Sequence, residues 1–138
     1  MDAVAAFCIL LVLATTISFS AGCFTHERDA LLSFKGNIVR DPQNILATWN
    51  GQDCCQWSGV KCSNSTGHVI KIDLRNNFFL DDILVPSDSD NPRSMRGKIS
   101  SSLTVLHHLE YLDLSGNNLG GVGVSIPRFW ALSKAWYI

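Results

Sequence analysis

The sequence predicts an α/β solenoid whose N-terminal end is closed by a disulfide-bonded cap containing one helix. Three observations carry this. Residues 68–79, HVIKIDLRNNFF, and residues 108–119, HLEYLDLSGNNL, resemble each other position by position. Cys23, Cys54, Cys55 and Cys62 cluster ahead of the first copy. Between Cys23 and Cys54, the stretch THERDALLSFKGNIV has apolar residues at helical spacing. With 138 residues, the chain holds one domain at most. Its 11 basic and 12 acidic residues form no long run of one sign, which argues against nucleic acid or an anionic membrane surface as partner.

The compartment follows from the first residues, MDAVAAFCILLVLATTISFSAG. No charged or strongly polar side chain occurs from Ala3 to Ala14, yet the run is short for a membrane-spanning helix and ends in small residues. Ser20 and Gly22 occupy the positions a signal peptidase reads, so residues 1–22 are expected to be a signal peptide cleaved before Cys23. The charge pattern departs from the usual one, with Asp2 and no Lys or Arg. An uncleaved anchor or a buried apolar segment is the competing reading.

Cleavage removes Cys8 and turns an odd five cysteines into an even four, which in a secreted chain reads as a disulfide framework. Neighbours Cys54 and Cys55 are poorly placed to bond each other, because a vicinal bridge strains the peptide between them. Two connectivities remain open. The nested one joins Cys23 to Cys54 and Cys55 to Cys62, and the crossed one exchanges the partners of Cys54 and Cys55. Zinc fits badly, because an adjacent pair followed by a third thiol seven residues on is not the spacing that lets thiolates reach one ion. His26 and His68 do not complete such a motif.

Within the cap, Thr25 is expected to cap the start of the helix, with Glu27 and Asp29 in its first turn, where carboxylates suit the helix dipole. Ala30, Leu31, Phe34 and Ile38 share one face. Gly36 weakens the last turn, and Asp41-Pro42 ends the helix, since the residue before proline avoids the α region. Leu46, Trp49 and Trp57 are expected core contacts, because a small domain without a deep core leans on tryptophans and bridges.

The two similar segments share Val69 with Leu109, Ile72 with Leu112, Leu74 with Leu114, Asn77 with Asn117 and Phe79 with Leu119. Leu103 and Leu106 extend the second copy upstream. The consensus L-x-x-L-x-L-x-x-N-x-L is the leucine-rich-repeat pattern. In it, L-x-L is a short strand with its leucines turned inward, and the Asn holds backbone groups left open at the bend. Such coils bury their apolar faces only by stacking. Chance alternation in two amphipathic strands would not match five positions including the Asn. The copies lie 40 residues apart, and a polar insertion at 80–96 accounts for the excess. Residues 64–125 then make about two repeats. From Ile126 to Ile138 a third repeat is degenerate or truncated, with Leu132 out of step and the chain ending where the next L-x-L should form.

The stretch ERDALLSFKGNIVRDPQNILATWNGQDCCQWSGVKCSNSTGHVIKIDLRNN resembles the N-terminal cap of plant extracellular leucine-rich-repeat proteins. Cys23, Glu27, Arg28, Ala30, Leu31, Leu32, Phe34, Lys35, Asp41, Pro42, Leu46, Trp49, Cys54, Cys55, Trp57, Gly59, Val60 and Cys62 match that pattern. The paired cysteines, the acidic loop and LDLSGNN are similar to receptor-like proteins of the plant immune type. The resemblance implies a cap over residues 23–63 with nested bridges, Cys23–Cys54 and Cys55–Cys62. It also implies a truncated member, located in the secretory pathway and outside the cell or at the plasma membrane. A protein or peptide ligand and a co-receptor kinase are the implied partners. Non-catalytic recognition in plant defence or cell-surface signalling is the implied function. A secreted polygalacturonase-inhibitor-like protein and a truncated product without independent activity are the alternatives.

Asn64-Ser65-Thr66 is an N-x-S/T sequon in a polar loop, a site for a surface glycan, against the bland reading of an unmodified loop. Lys71, Asp73 and Arg75 in the first repeat, and Tyr111, Asp113 and Ser115 in the second, occupy the outward strand positions expected to face a ligand. A merely solvated strand face is the competing reading, and two coils favour it. Asp73 and Asp113 recur with the repeat and form no catalytic pair, and His107-His108 reads as a surface pair. No hydrolase elbow, zinc-protease helix, P-loop or kinase element occurs, so the chain is expected to be no enzyme and to need no cofactor.

Overall fold

A computed structural model describes residues 22–77 and 92–120, together with the backbone of a strand at Ala135–Tyr137. The expected signal peptide, the greater part of the insertion at 80–96 and most of the third repeat lie outside the described residues.

Helix α1 spans Thr25–Gly36 and buries Glu27, Ala30, Leu31 and Phe34. These positions are spaced three, one and three residues apart, a single helical stripe. Phe24 is the N-cap, with extended backbone and no side-chain cap bond, so Thr25 already lies inside the helix. The helix also ends earlier than the proline suggests. Asn37 closes it, and Ile38–Arg40 form strand β1, antiparallel to β4, Arg96–Lys98. Ile38 therefore leaves the helical face, because this stretch gains sheet partners from a segment more than fifty residues away. Asp41 instead caps the next turn: its carboxylate accepts from the Ile45 and Leu46 amides at 3.1 and 2.7 Å, opening the 3₁₀ turn Ile45–Thr48.

Strand β2, Val60–Cys62, runs antiparallel to β3, Val69–Asp73. Strand β5, Tyr111–Asp113, lies parallel to β3, and β7, Ala135–Tyr137, lies parallel to β5. This four-stranded sheet has the order β2-β3-β5-β7. A second sheet, β1-β4-β6, is completed by β6, Asn118–Gly120. Between the sheets lies the core of Phe34, Leu46, Trp49, Trp57, Ile72, Leu74, Met95, Leu103, Leu106, Leu112 and Leu114. Trp49 stacks on Trp57 at 5.5 Å between ring centroids, and the indole N–H groups donate to the Ser58 and Asn50 carbonyls.

Three features differ from the sequence pattern. Met95 and Ser94 are buried, so the final residues of the expected insertion belong to the core: the Met95 amide donates to Asn117 Oδ1 and its carbonyl accepts from Asn118. In the first repeat the buried asparagine is Asn76, while Asn77 is exposed. Asn76 Nδ2 donates to the Gly116 carbonyl, and Asn117 Nδ2 donates to the carbonyls of Leu74 and Leu114, so both asparagines bridge successive coils. Finally, β7 pairs in register with β5, Leu112 opposite Trp136, although the sequence there lacks the leucine pattern. Strand pairing is made by backbone groups, which do not depend on leucine.

Gly59, inside the cysteine cluster, has φ +77°, and a Cβ there would lie 2.5 Å from the Asp73 carbonyl oxygen. The Asp73 amide donates to the Gly59 carbonyl at 2.8 Å, so this close approach welds the cap to β3. Gly51 has φ +79° but open space around it. Gly51→Ala is expected to cost about 1 kcal/mol from backbone strain alone. Gly59→Ala should cost about 2–4 kcal/mol, because a clash with backbone adds to that strain. Equal unfolding midpoints for the two variants would remove the close approach as the reason for Gly59.

Candidate functional site

The cap places its four cysteines through short, well-anchored segments. Asp53 Oδ1 accepts from the Cys55 amide and opens the turn Cys54–Gln56, turning adjacent cysteines in different directions. The structure joins Cys23 to Cys54 and Cys55 to Cys62, with Cα separations of 5.1 and 5.4 Å, ordinary for disulfides. Cys54 is fully buried, whereas Cys55 and Cys62 are half-buried. The sulfurs of Cys54, Cys55 and Cys62 lie within 4.8 Å of one another, but a bridged sulfur has no thiolate to offer a metal. Asn64 is exposed in the turn that follows, organised by the Ser63 hydroxyl, which accepts from the Ser65 and Thr66 amides.

On β3 and β5, Ile72, Leu74, Leu112 and Leu114 point into the core, and the intervening residues form the opposite face. Parallel register sets Lys71 beside Tyr111 and Asp73 beside Asp113. The six positions singled out on these strands meet in one network. Lys71 Nζ stands 3.7 Å from Asp73 and 4.6 Å from the centre of the Tyr111 ring. Arg75 bridges the repeats, 3.1 Å from Asp73 and 4.0 Å from Asp113. Tyr111 donates its hydroxyl proton to Asp113 Oδ2, and Ser115 donates from both its hydroxyl, at 2.6 Å, and its amide to Oδ1.

These groups are not equally available to a ligand. Side-chain exposure is 40% for Lys71 and 46% for Arg75, but 17% for Asp73 and 6% for Asp113. Asp113 is thus a buried organiser rather than an outward contact, contrary to the expectation from strand alternation. Its depth comes from Tyr111 and Ser115, two residues to either side of it, together with Arg75 of the preceding coil. Burial acts to raise the Asp113 carboxyl, but the Ser115 and Tyr111 hydrogen bonds and the Arg75 charge outweigh it and hold the group below its ordinary value. Desolvation, the hydrogen bond to Asp113 and the nearby carboxylates push the Tyr111 hydroxyl above its ordinary value. Tyr111 therefore remains a neutral donor and Asp113 an ionised acceptor at neutral pH.

Two important features are missed by reasoning on sequence. Glu27 is 1% exposed: its carboxylate accepts from the buried Val69 amide and meets His68 Nδ1, each at 3.0 Å. From its place in the first turn of the helix it also joins α1 to β3. The available signal was its place on the apolar stripe of α1, where a carboxylate needs partners. His68 is also stacked between Phe24, at 4.2 Å, and His108, at 3.8 Å. His68 and His108 occupy equivalent positions in the two aligned copies, a signal that pairing His108 with His107 obscures.

The leucine rich repeat N-terminal domain family matches residues 25–63, and the leucine rich repeat family matches residues 108–132. The chain is 41% identical over 127 residues to receptor-like protein EIX1 of Solanum lycopersicum, a match covering 87% of this chain and 12% of that protein. It is 31% identical over 141 residues to phytosulfokine receptor 1 of Arabidopsis thaliana, covering 87% and 14%. Among solved structures, the BIR2 ectodomain from Arabidopsis thaliana superposes with a TM-score of 0.54 at 28% identity, over 75% of this chain and 48% of that one. No helix among the described residues is long and apolar enough to cross a membrane.

Proposed function

The chain belongs to the plant leucine-rich-repeat proteins of the receptor-like type, with their N-terminal cap and first repeats, and from that premise we propose that it serves non-catalytic recognition at the cell surface or outside the cell. The recognition surface is the outward face of the four-stranded sheet, and the ligand is a protein or peptide. A co-receptor kinase, the setting in plant defence or cell-surface signalling, and a glycan on Asn64 belong to the same reading. The observation that carries it is the joined network of Lys71, Asp73, Arg75, Tyr111 and Ser115 around buried Asp113. A merely solvated strand face has no need to lock its side chains across two coils. Locked side chains have already lost the freedom that binding would remove, which favours recognition by a rigid surface. One relative is named a receptor for phytosulfokine, which supports a ligand-binding role for this family.

The test is saturable binding of the purified, labelled chain to intact plant protoplasts. Parent protein should bind saturably. A Lys71→Ala variant should bind at least about threefold more weakly while melting at a similar temperature, since Lys71 is 40% exposed and Arg75 still pairs with Asp73. Inhibition of a fungal polygalacturonase without protoplast binding would favour the inhibitor reading. Failure in both assays would favour a product without independent activity.

A further inference from the structure

The cap gathers three sulfurs into one cluster, although only two of them share a bond. The Sγ atoms of Cys54, Cys55 and Cys62 lie within 4.8 Å of one another, while the bridges join Cys55 to Cys62 and Cys54 to Cys23. Cys54 therefore sits beside a bridge to which it does not belong. A sulfur–sulfur bond is about 2.0 Å long, so a movement of under about 3 Å brings Cys54 into bonding distance of either neighbour. Bonding to Cys55 is disfavoured, because Cα atoms of adjacent residues lie about 3.8 Å apart and an unstrained bridge needs about 4.4 Å or more. Cys62, on β2, is under no such restriction.

Burial separates the roles of these sulfurs. Cys54 is fully buried, so a reductant in solution does not reach it directly, whereas Cys23, Cys55 and Cys62 are half-buried. Asp53 holds one residue of each bridge: its Oδ1 accepts from the Cys23 amide at 3.4 Å and from the Cys55 amide at 3.1 Å. Cys62 is held opposite Val69 by the antiparallel pairing of β2 with β3. These anchors are backbone hydrogen bonds and not disulfides, so breaking one bridge leaves the sulfurs near their places. A freed thiolate then faces the intact bridge at intramolecular range, the condition under which exchange is fast.

From this geometry we infer that the cap is a thiol–disulfide exchange centre: reduction of either bridge by a dithiol leads to a Cys54–Cys62 bridge, with Cys23 and Cys55 as free thiols. The dithiol delivers two electrons and two protons to one bridge and leaves as its own disulfide. Where Cys55–Cys62 opens, the Cys62 thiolate attacks Cys54 Sγ. The Cys62–Cys54 bond forms, the Cys54–Cys23 bond breaks, and Cys23 takes up the proton that Cys62 gave up. Where Cys23–Cys54 opens, the Cys54 thiolate attacks Cys62 Sγ and expels Cys55, which is protonated in the same way. Both routes meet in one product, and the exchange step needs no further oxidant or reductant. Its consequence is the release of Cys23, which unties the segment entering α1 from the rest of the cap. The inference uses no residue of the recognition face, so it stands or falls independently of the function proposed above.

The test begins at about pH 3, where thiols stay protonated and exchange is arrested, and ends at about pH 8, where thiolates form. One equivalent of tris(2-carboxyethyl)phosphine, which stands in for the dithiol, opens one bridge of the purified full chain at the lower pH. Thiols are trapped with N-ethylmaleimide before and after the rise in pH and located by tandem mass spectrometry, which follows Cys8 separately. Before the rise, the label should mark the two cysteines of one native bridge. Afterwards it should move to Cys23 and Cys55, with a Cys54–Cys62 bridge present. The rate should be independent of protein concentration and rise about tenfold per pH unit below the thiol range. In Cys55→Ser the remaining free thiol should divide between Cys62 and Cys23, whereas in Cys62→Ser it should stay on Cys55. Label that remains on the cysteines first reduced would overturn the proposal, as would a rate proportional to protein concentration, which would place the exchange between molecules.

Discussion

Glu27→Ala is expected to destabilise the folded chain by about 3 kcal/mol, a large share of the stability of a small domain. The side chain is buried and accepts from the Val69 amide and meets His68, both at 3.0 Å. Val69 is itself fully buried, so no water reaches the amide once the carboxylate is gone. An orphaned buried donor costs about 1–3 kcal/mol, and the cap loses its polar tie to β3 as well. Glu27→Gln retains one acceptor oxygen for the Val69 amide and should recover roughly half of the loss. Urea unfolding followed by tryptophan fluorescence measures both, and amide exchange at Val69 should accelerate in the alanine variant. An alanine variant within about 0.5 kcal/mol of the parent would remove Glu27 as the anchor. A glutamine variant as weak as alanine would shift the weight from the Val69 bond to the contact with His68.

Trp49→Ala should cost about 3–5 kcal/mol, the range for removing a large buried aromatic. Trp49 is 1% exposed, packs against Phe34 and Trp57, and donates to the Ser58 carbonyl at 2.9 Å. Its own carbonyl receives Lys35 Nζ. The cavity left behind would lie where α1, the Ile45–Thr48 turn and the cysteine cluster meet, and the disulfides on either side limit how far the walls can collapse. Trp49→Phe fills most of the volume and should cost about 1–3 kcal/mol, the remainder reflecting imperfect fit. Secreted yield and melting temperature should fall in the order parent, phenylalanine, alanine. An alanine variant that melts within a few degrees of the parent would mean that the bridges, not this ring, hold the cap together.

Much of the architecture is written in local patterns. The L-x-L spacing places Ile72, Leu74, Leu112 and Leu114 inward, and the 40-residue offset between the copies is the register of β3 against β5. The apolar stripe of α1 is also visible, because Ala30, Leu31 and Phe34 recur at helical spacing. What the patterns conceal are polar residues whose role depends on distant partners. Glu27 is a first-turn carboxylate whose tie to Val69 and His68 is seen only when β3 is laid across the helix. The repeat pattern aligns Asn77 with Asn117, yet it is Asn76 that is buried, bonded to the Gly116 carbonyl and to the Gln43 amide. Asp113 looks outward-facing until Tyr111, Ser115 and Arg75 close over it.

The second sheet shows the same division. Ile38–Arg40 follows a helix without interruption in the apolar pattern, and its strand forms because Arg96–Lys98 returns beside it. The hollow among these strands, lined by Gly36, Val39, Arg96, Lys98, Asn118 and Gly120, exists only through that return, since its lining comes from three separated segments. By itself, then, the sequence determined the solenoid, the inward residues and the cysteine-rich cap, because periodicity and spacing are properties of a chain read along its length. The tertiary structure alone decided the partners of the buried polar groups, the second sheet and the depth of each outward residue. Those depend on which segments stacking brings together, and residues 40 or more positions apart carry no local mark of their meeting.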